Sequence, residues 1–86
     1  MNALSATYAP ISCEFHDLLE IHAMAGQAVP LFFRDAQGAL QVHRSRIADL
    51  FSRDGAEFLS TASGLSIRLD QLVAVDGVRL ASFCTA

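Results

Sequence analysis

Apolar residues near the start of the chain recur with the spacing of one helical face. Ser12 is a good N-cap residue and Gly26 a good helix stop, so the pattern predicts a helix over residues 13–24. Its apolar face is expected to carry four residues at relative positions 0, 3, 4 and 7, namely Phe15, Leu18, Leu19 and His22.

A second face of the same helix is acidic. Glu14, Asp17 and Glu20 fall on one arc, together with the apolar Ile21. The helix dipole favours Glu14 in the first turn, but this benefit fades further along, and no arginine lies three or four positions from Asp17 or Glu20. The three like charges indicate either a solvated face or a binding face for a cationic partner, and the residues alone leave both open.

From Val29 onward the apolar pattern is that of short strands. Turn-forming residues divide this part of the chain into five or six runs. The turns are expected at 35–38, 63–64 and 76–77, and the last run at 78–83.

The segment 45–55, SRIADLFSRDG, is ambiguous. Ile47, Leu50 and Phe51 have the 0, 3, 4 spacing of a helical turn, but Asp54 and Gly55 end it at once. We interpret the segment as a turn or loop that places Leu50 in the core.

Several short strands in a small chain close most economically into a barrel, because closure removes unpaired strand edges. The predicted fold class is mainly β (α+β), with an N-terminal helix packed on a small barrel of five to six antiparallel strands. We expect a single domain over residues 1–86, with 1–9 flexible and the core over 10–83.

Composition and charge argue for a folded domain and against a nucleic-acid binder. The 86 residues are 52% hydrophobic and the formal charge is −3. The sequence contains six arginines and no lysine. Residues 34–86 balance six acids with six arginines, so the excess negative charge lies in residues 1–33. No apolar run approaches the roughly 20 residues that cross a bilayer, and no signal peptide is evident, so we expect a cytoplasmic protein.

Few residues offer catalytic or metal-binding chemistry. Cys13, His16 and His22 are candidate metal ligands, but a helix places the two histidines on different sides. A nucleophile pair of Cys13 with His16 has no pocket or oxyanion donors implied by the sequence. Cys13 and Cys84 are expected to be free thiols in a reducing compartment. We expect no enzyme activity, no metal and no cofactor.

Three blocks of the sequence resemble one known family. The first is Tyr8-x-Pro10-Ile11-x-Cys13-Glu14-x-His16-Asp17-x-Leu19-Glu20. Residues 48–59, ADLFSRDGAEFL, are similar to a segment A/S-D-L-x-S-R-x-x-x-E-Y-L, and residues 67–75, IRLDQLVAV, to a strand ending in R-L-D-K-I. In this order and spacing, over about residues 8–76, the blocks resemble the Rof family of Rho-binding antiterminators.

That resemblance implies a helix packed on an Sm-like β-barrel and an inhibitor of the hexameric helicase Rho, which terminates transcription. Such proteins dock on the RNA-binding N-terminal domain of Rho and compete with the transcript. Asp17 and Glu20 match the acidic pair of the family helix, Glu14 replaces an aspartate, and Arg53 matches a basic loop residue. The expected partner-binding residues are therefore Glu14, Asp17, Glu20, Ile21 and Arg53.

Two alternatives stay open. An Sm-like barrel can itself bind RNA, but this needs basic or aromatic nucleotide contacts, and the sequence offers only scattered arginines. The protein could instead be a soluble barrel with another protein partner. We expect a monomer that contacts Rho and binds neither nucleic acid nor a membrane.

Overall fold

The structure is a computed structural model that describes residues 8–82. The expectations for residues 1–7, Phe83 and Cys84 lie outside the described residues. In chain order the elements are helix α1 (Cys13–Ala25), strands β1 (Val29–Arg34), β2 (Leu40–Ser45), β3 (Ile47–Arg53), β4 (Ala56–Thr61) and β5 (Ser66–Arg68), a 3-10 turn (Leu69–Gln71), strands β6 (Leu72–Val75) and β7 (Val78–Arg79), and a second 3-10 turn (Leu80–Ser82).

The predicted helix is confirmed, together with both of its caps. Ser12 is extended, and its hydroxyl oxygen accepts a hydrogen bond from the backbone N–H of Phe15 at 3.1 Å. At the other end Gly26 adopts the left-handed conformation, with φ 70°, and donates to the carbonyl of His22 at 3.2 Å. Phe15 and Leu19 are fully buried. The helix is thereby fixed with its opposite side toward solvent.

The strands form two antiparallel sheets, in the orders β2-β1-β6-β7 and β3-β4-β5. The expected fold class, mainly β with an N-terminal helix packed on antiparallel strands, is confirmed. Residues 8–82 contain seven strands instead of five or six, and no ladder joins the two sheets into a closed barrel.

The interpretation of segment 45–55 as a turn or loop is wrong, because most of it is strand β3. Asp54 and Gly55 both have positive φ, 52° and 78°, and Arg53 pairs directly with Ala56. These are the features of a tight two-residue hairpin turn, for which Asp-Gly is a strong signal. Leu50 faces Leu59 across the ladder and is half-buried against the core. The helix-like 0, 3, 4 spacing of the apolar residues therefore occurs here within a strand.

The core lies between α1 and the two sheets. Its fully buried large side chains come from the helix, from five strands and from the first 3-10 turn: Phe15, Leu19, Leu31, Ile47, Leu59, Ile67, Leu69 and Val75. Outside the core, His43 Nε2 and the Ser63 hydroxyl oxygen are 2.8 Å apart, which connects β2 to the β4–β5 loop. No helix within residues 8–82 combines the length and the apolar character required to cross a membrane.

Candidate functional site

The acidic arc of α1 faces solvent. Glu14, Asp17 and Glu20 are all exposed, and Ile21 is 61% exposed. We call these four residues the acidic face. It is exposed because Phe15 and Leu19, on the other side of the helix, are buried against the sheets.

The carboxylates of the acidic face have no arginine partner within the described part of the chain. Among residues 8–82, the ion pair between an arginine and a carboxylate is that of Arg68 with Asp70. The other close contacts between a basic side chain and a carboxylate are those of His16 with Glu20 and Glu57. Three like charges therefore share one surface without a guanidinium to offset them. Such a surface is suited to a cationic ligand or partner.

A groove of about 500 Å³ runs beside the acidic face, between α1 and strand β3. Asp17 and Glu20 lie on its helical wall, and Glu57 of β4 contributes a third carboxylate. The complete lining is Tyr8, Pro10, Ile11, Cys13, His16, Asp17, Glu20, Leu50, Phe51, Ser52 and Glu57. The helix and the β3–β4 hairpin thus form one negatively charged recess.

His16 lines this recess and contacts carboxylates on both of its walls. Its Nε2 atom is 2.9 Å from Oε1 of Glu57, and its Nδ1 atom is 3.9 Å from Oε1 of Glu20. The potential metal-ligand atoms of His16, Asp17 and Glu20 all lie within 4.8 Å of one another. This set differs from the candidate ligands Cys13, His16 and His22 that the sequence suggested, since only His16 is common to both.

Arg53 lies at the end of β3, beside the hairpin turn, and is exposed. Its guanidinium carbon is 5.2 Å from the centre of the Phe51 ring, and the Phe51 and Phe58 rings are stacked with centroids 5.4 Å apart. Arg68 pairs with Phe58 across the next ladder, and its guanidinium carbon is 5.8 Å from the centre of the Tyr8 ring. Two of the arginines that looked scattered in the sequence therefore lie beside aromatic rings.

The segment leading into α1 is held to the domain by Asp70. The backbone N–H of Ala9 donates to Oδ2 of Asp70 at 3.0 Å, and Arg68 donates to both carboxylate oxygens at 2.6 and 2.9 Å. Burial raises the pKa of the Tyr8 hydroxyl, and the charges of Glu57 and Asp70 raise it further. Tyr8 therefore enters the groove as a neutral phenol at physiological pH.

Cys13 and His43 offer little basis for covalent chemistry within the described residues. Cys13 is an exposed free thiol at the first residue of α1. His43 of β2 contacts Ser63, and that hydroxyl lies 2.8 Å from the hydroxyl of Thr61. This chain of contacts ends in a hydroxyl instead of a carboxylate, so it lacks the orienting acid of a catalytic triad.

Sequence reasoning missed Glu57 as part of the site. The Asp54-Gly55 turn carried the necessary signal, because a two-residue turn that pairs Arg53 with Ala56 also places Ser52 opposite Glu57. The contact of Glu57 with His16 depends in addition on how α1 packs over β3, which local patterns do not specify.

The chain matches no protein-family model, no curated protein and no solved structure. The resemblance to the Rof family therefore rests on the three sequence blocks alone.

Proposed function

We propose that this protein inhibits Rho-dependent transcription termination by placing its acidic face in the RNA-binding groove of Rho, in competition with the transcript. The sequence blocks suggest the partner, and one structural observation carries the chemistry. Glu14, Asp17 and Glu20 are exposed and none of them is paired with an arginine of the described chain. As an inhibitor of a transcription factor, the protein would act in the bacterial cytoplasm.

The physical basis of the proposed contact is charge substitution. A groove that binds RNA attracts phosphates with arginine and lysine side chains, and a row of carboxylates can occupy the same positions. Ile21 adds an exposed apolar contact inside the acidic face. Arg53, at the neighbouring hairpin, supplies a basic residue for polar groups at the rim of the partner.

The first prediction is that neutralising the acidic face weakens binding to Rho. The paired change Asp17→Asn and Glu20→Gln keeps the side-chain shapes and removes two charges. We expect at least a tenfold loss of affinity, about 1.4 kcal/mol, for Rho from the same organism. Calorimetry with a chelator present would measure it, and increasing salt should weaken the wild-type complex more than that of the variant.

A charge-matched control separates local contact from net charge. The exposed residues Gln27 and Ala62 lie outside the acidic face, and Gln27→Lys with Ala62→Lys changes the net charge by the same two units. We expect this control to bind Rho nearly as well as the wild type. Retention of full affinity by the folded Asp17→Asn, Glu20→Gln protein would reject the acidic face as the contact surface.

A second candidate function is favoured by the row of aromatic rings and arginines on the sheet β3-β4-β5. Stacked rings with nearby guanidinium groups can bind bases of a single strand, and Phe51, Phe58 and Arg53 provide them. Fluorescence anisotropy with a labelled pyrimidine-rich RNA distinguishes the two candidates. Direct RNA binding that is lost on Phe51→Ala would favour this candidate, whereas undetectable RNA binding with tight Rho binding would favour the first.

A further inference from the structure

The two ring nitrogens of His16 have different surroundings. Nε2 is within hydrogen-bond distance of Glu57, at 2.9 Å, whereas Nδ1 is 3.9 Å from the nearest oxygen of Glu20, too far for a hydrogen bond. Asp17 completes the group, with its carboxylate within 4.8 Å of the donor atoms of both neighbours. One nitrogen of the ring therefore lies against the carboxylate of Glu57, and the other has the carboxylate of Glu20 nearby without reaching it.

Glu57 determines which nitrogen of the neutral imidazole carries the hydrogen. An ionised carboxylate has only acceptor atoms, so at 2.9 Å a neutral ring avoids a repulsive contact by carrying its hydrogen on Nε2, toward Glu57. The lone pair of a neutral His16 is then on Nδ1, 3.9 Å from the carboxylate of Glu20. Lone pairs and negative charges repel when nothing lies between them, and either a proton on Nδ1 or a metal cation would remove that repulsion.

A histidine whose second nitrogen donates to a carboxylate is the usual arrangement at metal sites. The carboxylate fixes the tautomer and the ring orientation and makes the ligating nitrogen more basic. At this site Glu57 comes from strand β4 and the other three residues come from α1, so the arrangement depends on the packing of the helix against the sheet. The lining of the same groove also leaves space for water at the remaining coordination positions.

We propose that Nδ1 of His16 and the carboxylates of Asp17 and Glu20 bind one divalent transition-metal ion of the Zn²⁺ type, with Glu57 orienting the imidazole. One imidazole nitrogen and two carboxylates suit Zn²⁺ better than Mg²⁺ or Ca²⁺, which prefer all-oxygen sites. Tetrahedral ligands at the usual Zn–N and Zn–O distances lie about 3.4 Å apart. The present separations, of up to 4.8 Å, are longer than that value, so binding requires the exposed Asp17 and Glu20 side chains to rotate toward His16.

The test is a zinc titration of the untagged, full-length chain after treatment with a chelator, without any partner protein. Competition with a chromophoric chelator should give one Zn²⁺ per chain for the wild type. His16→Gln should weaken binding at least tenfold, and Glu57→Ala should weaken it by about 10- to 100-fold. The matched control His22→Gln removes another histidine of the same helix and should leave the affinity unchanged.

Nuclear magnetic resonance provides a readout that needs no variant. Added Zn²⁺ should shift the imidazole resonances of His16 and leave those of His22 and His43 in place. Absence of saturable binding, or equal loss of affinity in the His16→Gln and His22→Gln proteins, would overturn the site. Because no Rho is present, either result leaves the proposed function to be judged by its own experiment.

Discussion

Leu18 and Leu19 are neighbours in sequence, yet they contribute differently to the domain. Leu19 is fully buried in the core, whereas Leu18 is half-buried at its edge. The helical period predicts both on one apolar face, but one step along the helix rotates the side chain by about 100°, enough to move it to the margin of a narrow contact. Burial of individual residues is therefore set by how the sheets meet the helix.

A fully buried leucine should stabilise the fold more than a half-buried one. Leu69→Ala removes a side chain that is 0% exposed, and the cavity should cost about 2 to 5 kcal/mol in the free energy of unfolding. Leu18→Ala removes a half-buried side chain and should cost about 1 kcal/mol. Urea unfolding followed by circular dichroism measures both, and equal losses would contradict the packing described for α1.

Tight turns determine the register of the hairpins at the scale of secondary-structure elements. The β1–β2 turn depends on Asp35, whose Oδ1 accepts from the backbone N–H groups of Gln37 and Ala39, each at 2.9 Å. Oδ2 accepts from the side chain of Gln41 at 2.8 Å. These bonds lower the pKa of Asp35 below its ordinary value of 3.8, with the Gln41 contact contributing most.

The Asp35 turn should make part of the stability dependent on pH. Because the pKa is lower in the folded than in the unfolded state, the ionised group stabilises the fold above about pH 4 and loses this effect as the pH falls through the folded value. The stability difference between wild type and Asp35→Asn should therefore shrink on acidification, as urea unfolding at several pH values would detect. A measured carboxyl pKa at or above 3.8 would contradict the turn geometry.

The residue types at helix ends and turns predicted much of the secondary structure. Ser12 and Gly26 predicted both ends of α1, and the 35–38 and 76–77 turns were recognised from their residue types. The failure was β3, where Asp54-Gly55 was taken as the end of a helical turn instead of the centre of a hairpin. Closure was also not predictable, because whether two small sheets share a ladder depends on their relative twist and bend, which no local pattern encodes.

The arrangement of charged residues in the folded molecule was predicted only in part. The sequence predicted that Glu14, Asp17 and Glu20 would share an exposed arc, and the structure places them so. It did not predict the recess that Asp17 and Glu20 form with His16 and Glu57, because those residues meet across the interface between helix and sheet. The proposed Rho contact and the proposed zinc site therefore use overlapping carboxylates.

That overlap predicts that zinc and Rho compete for the protein. A bound Zn²⁺ would neutralise Asp17 and Glu20, two of the three carboxylates proposed to replace RNA phosphates, and would leave only Glu14 fully available. Stoichiometric Zn²⁺ should therefore weaken the complex of the wild type with Rho. The His16→Gln protein keeps all three carboxylates, so it should bind Rho in the absence of zinc and respond less when zinc is added.

The His16→Gln protein also controls for zinc that binds to Rho itself. Such zinc would weaken the Rho complexes of the wild type and of His16→Gln equally. His22→Gln should behave like the wild type, because its removed imidazole is outside the cluster. A wild-type complex whose affinity is the same with and without zinc would contradict the coupling even if each ligand bound alone. A selective loss in the wild type and in His22→Gln would instead place both ligands on the same carboxylates of α1.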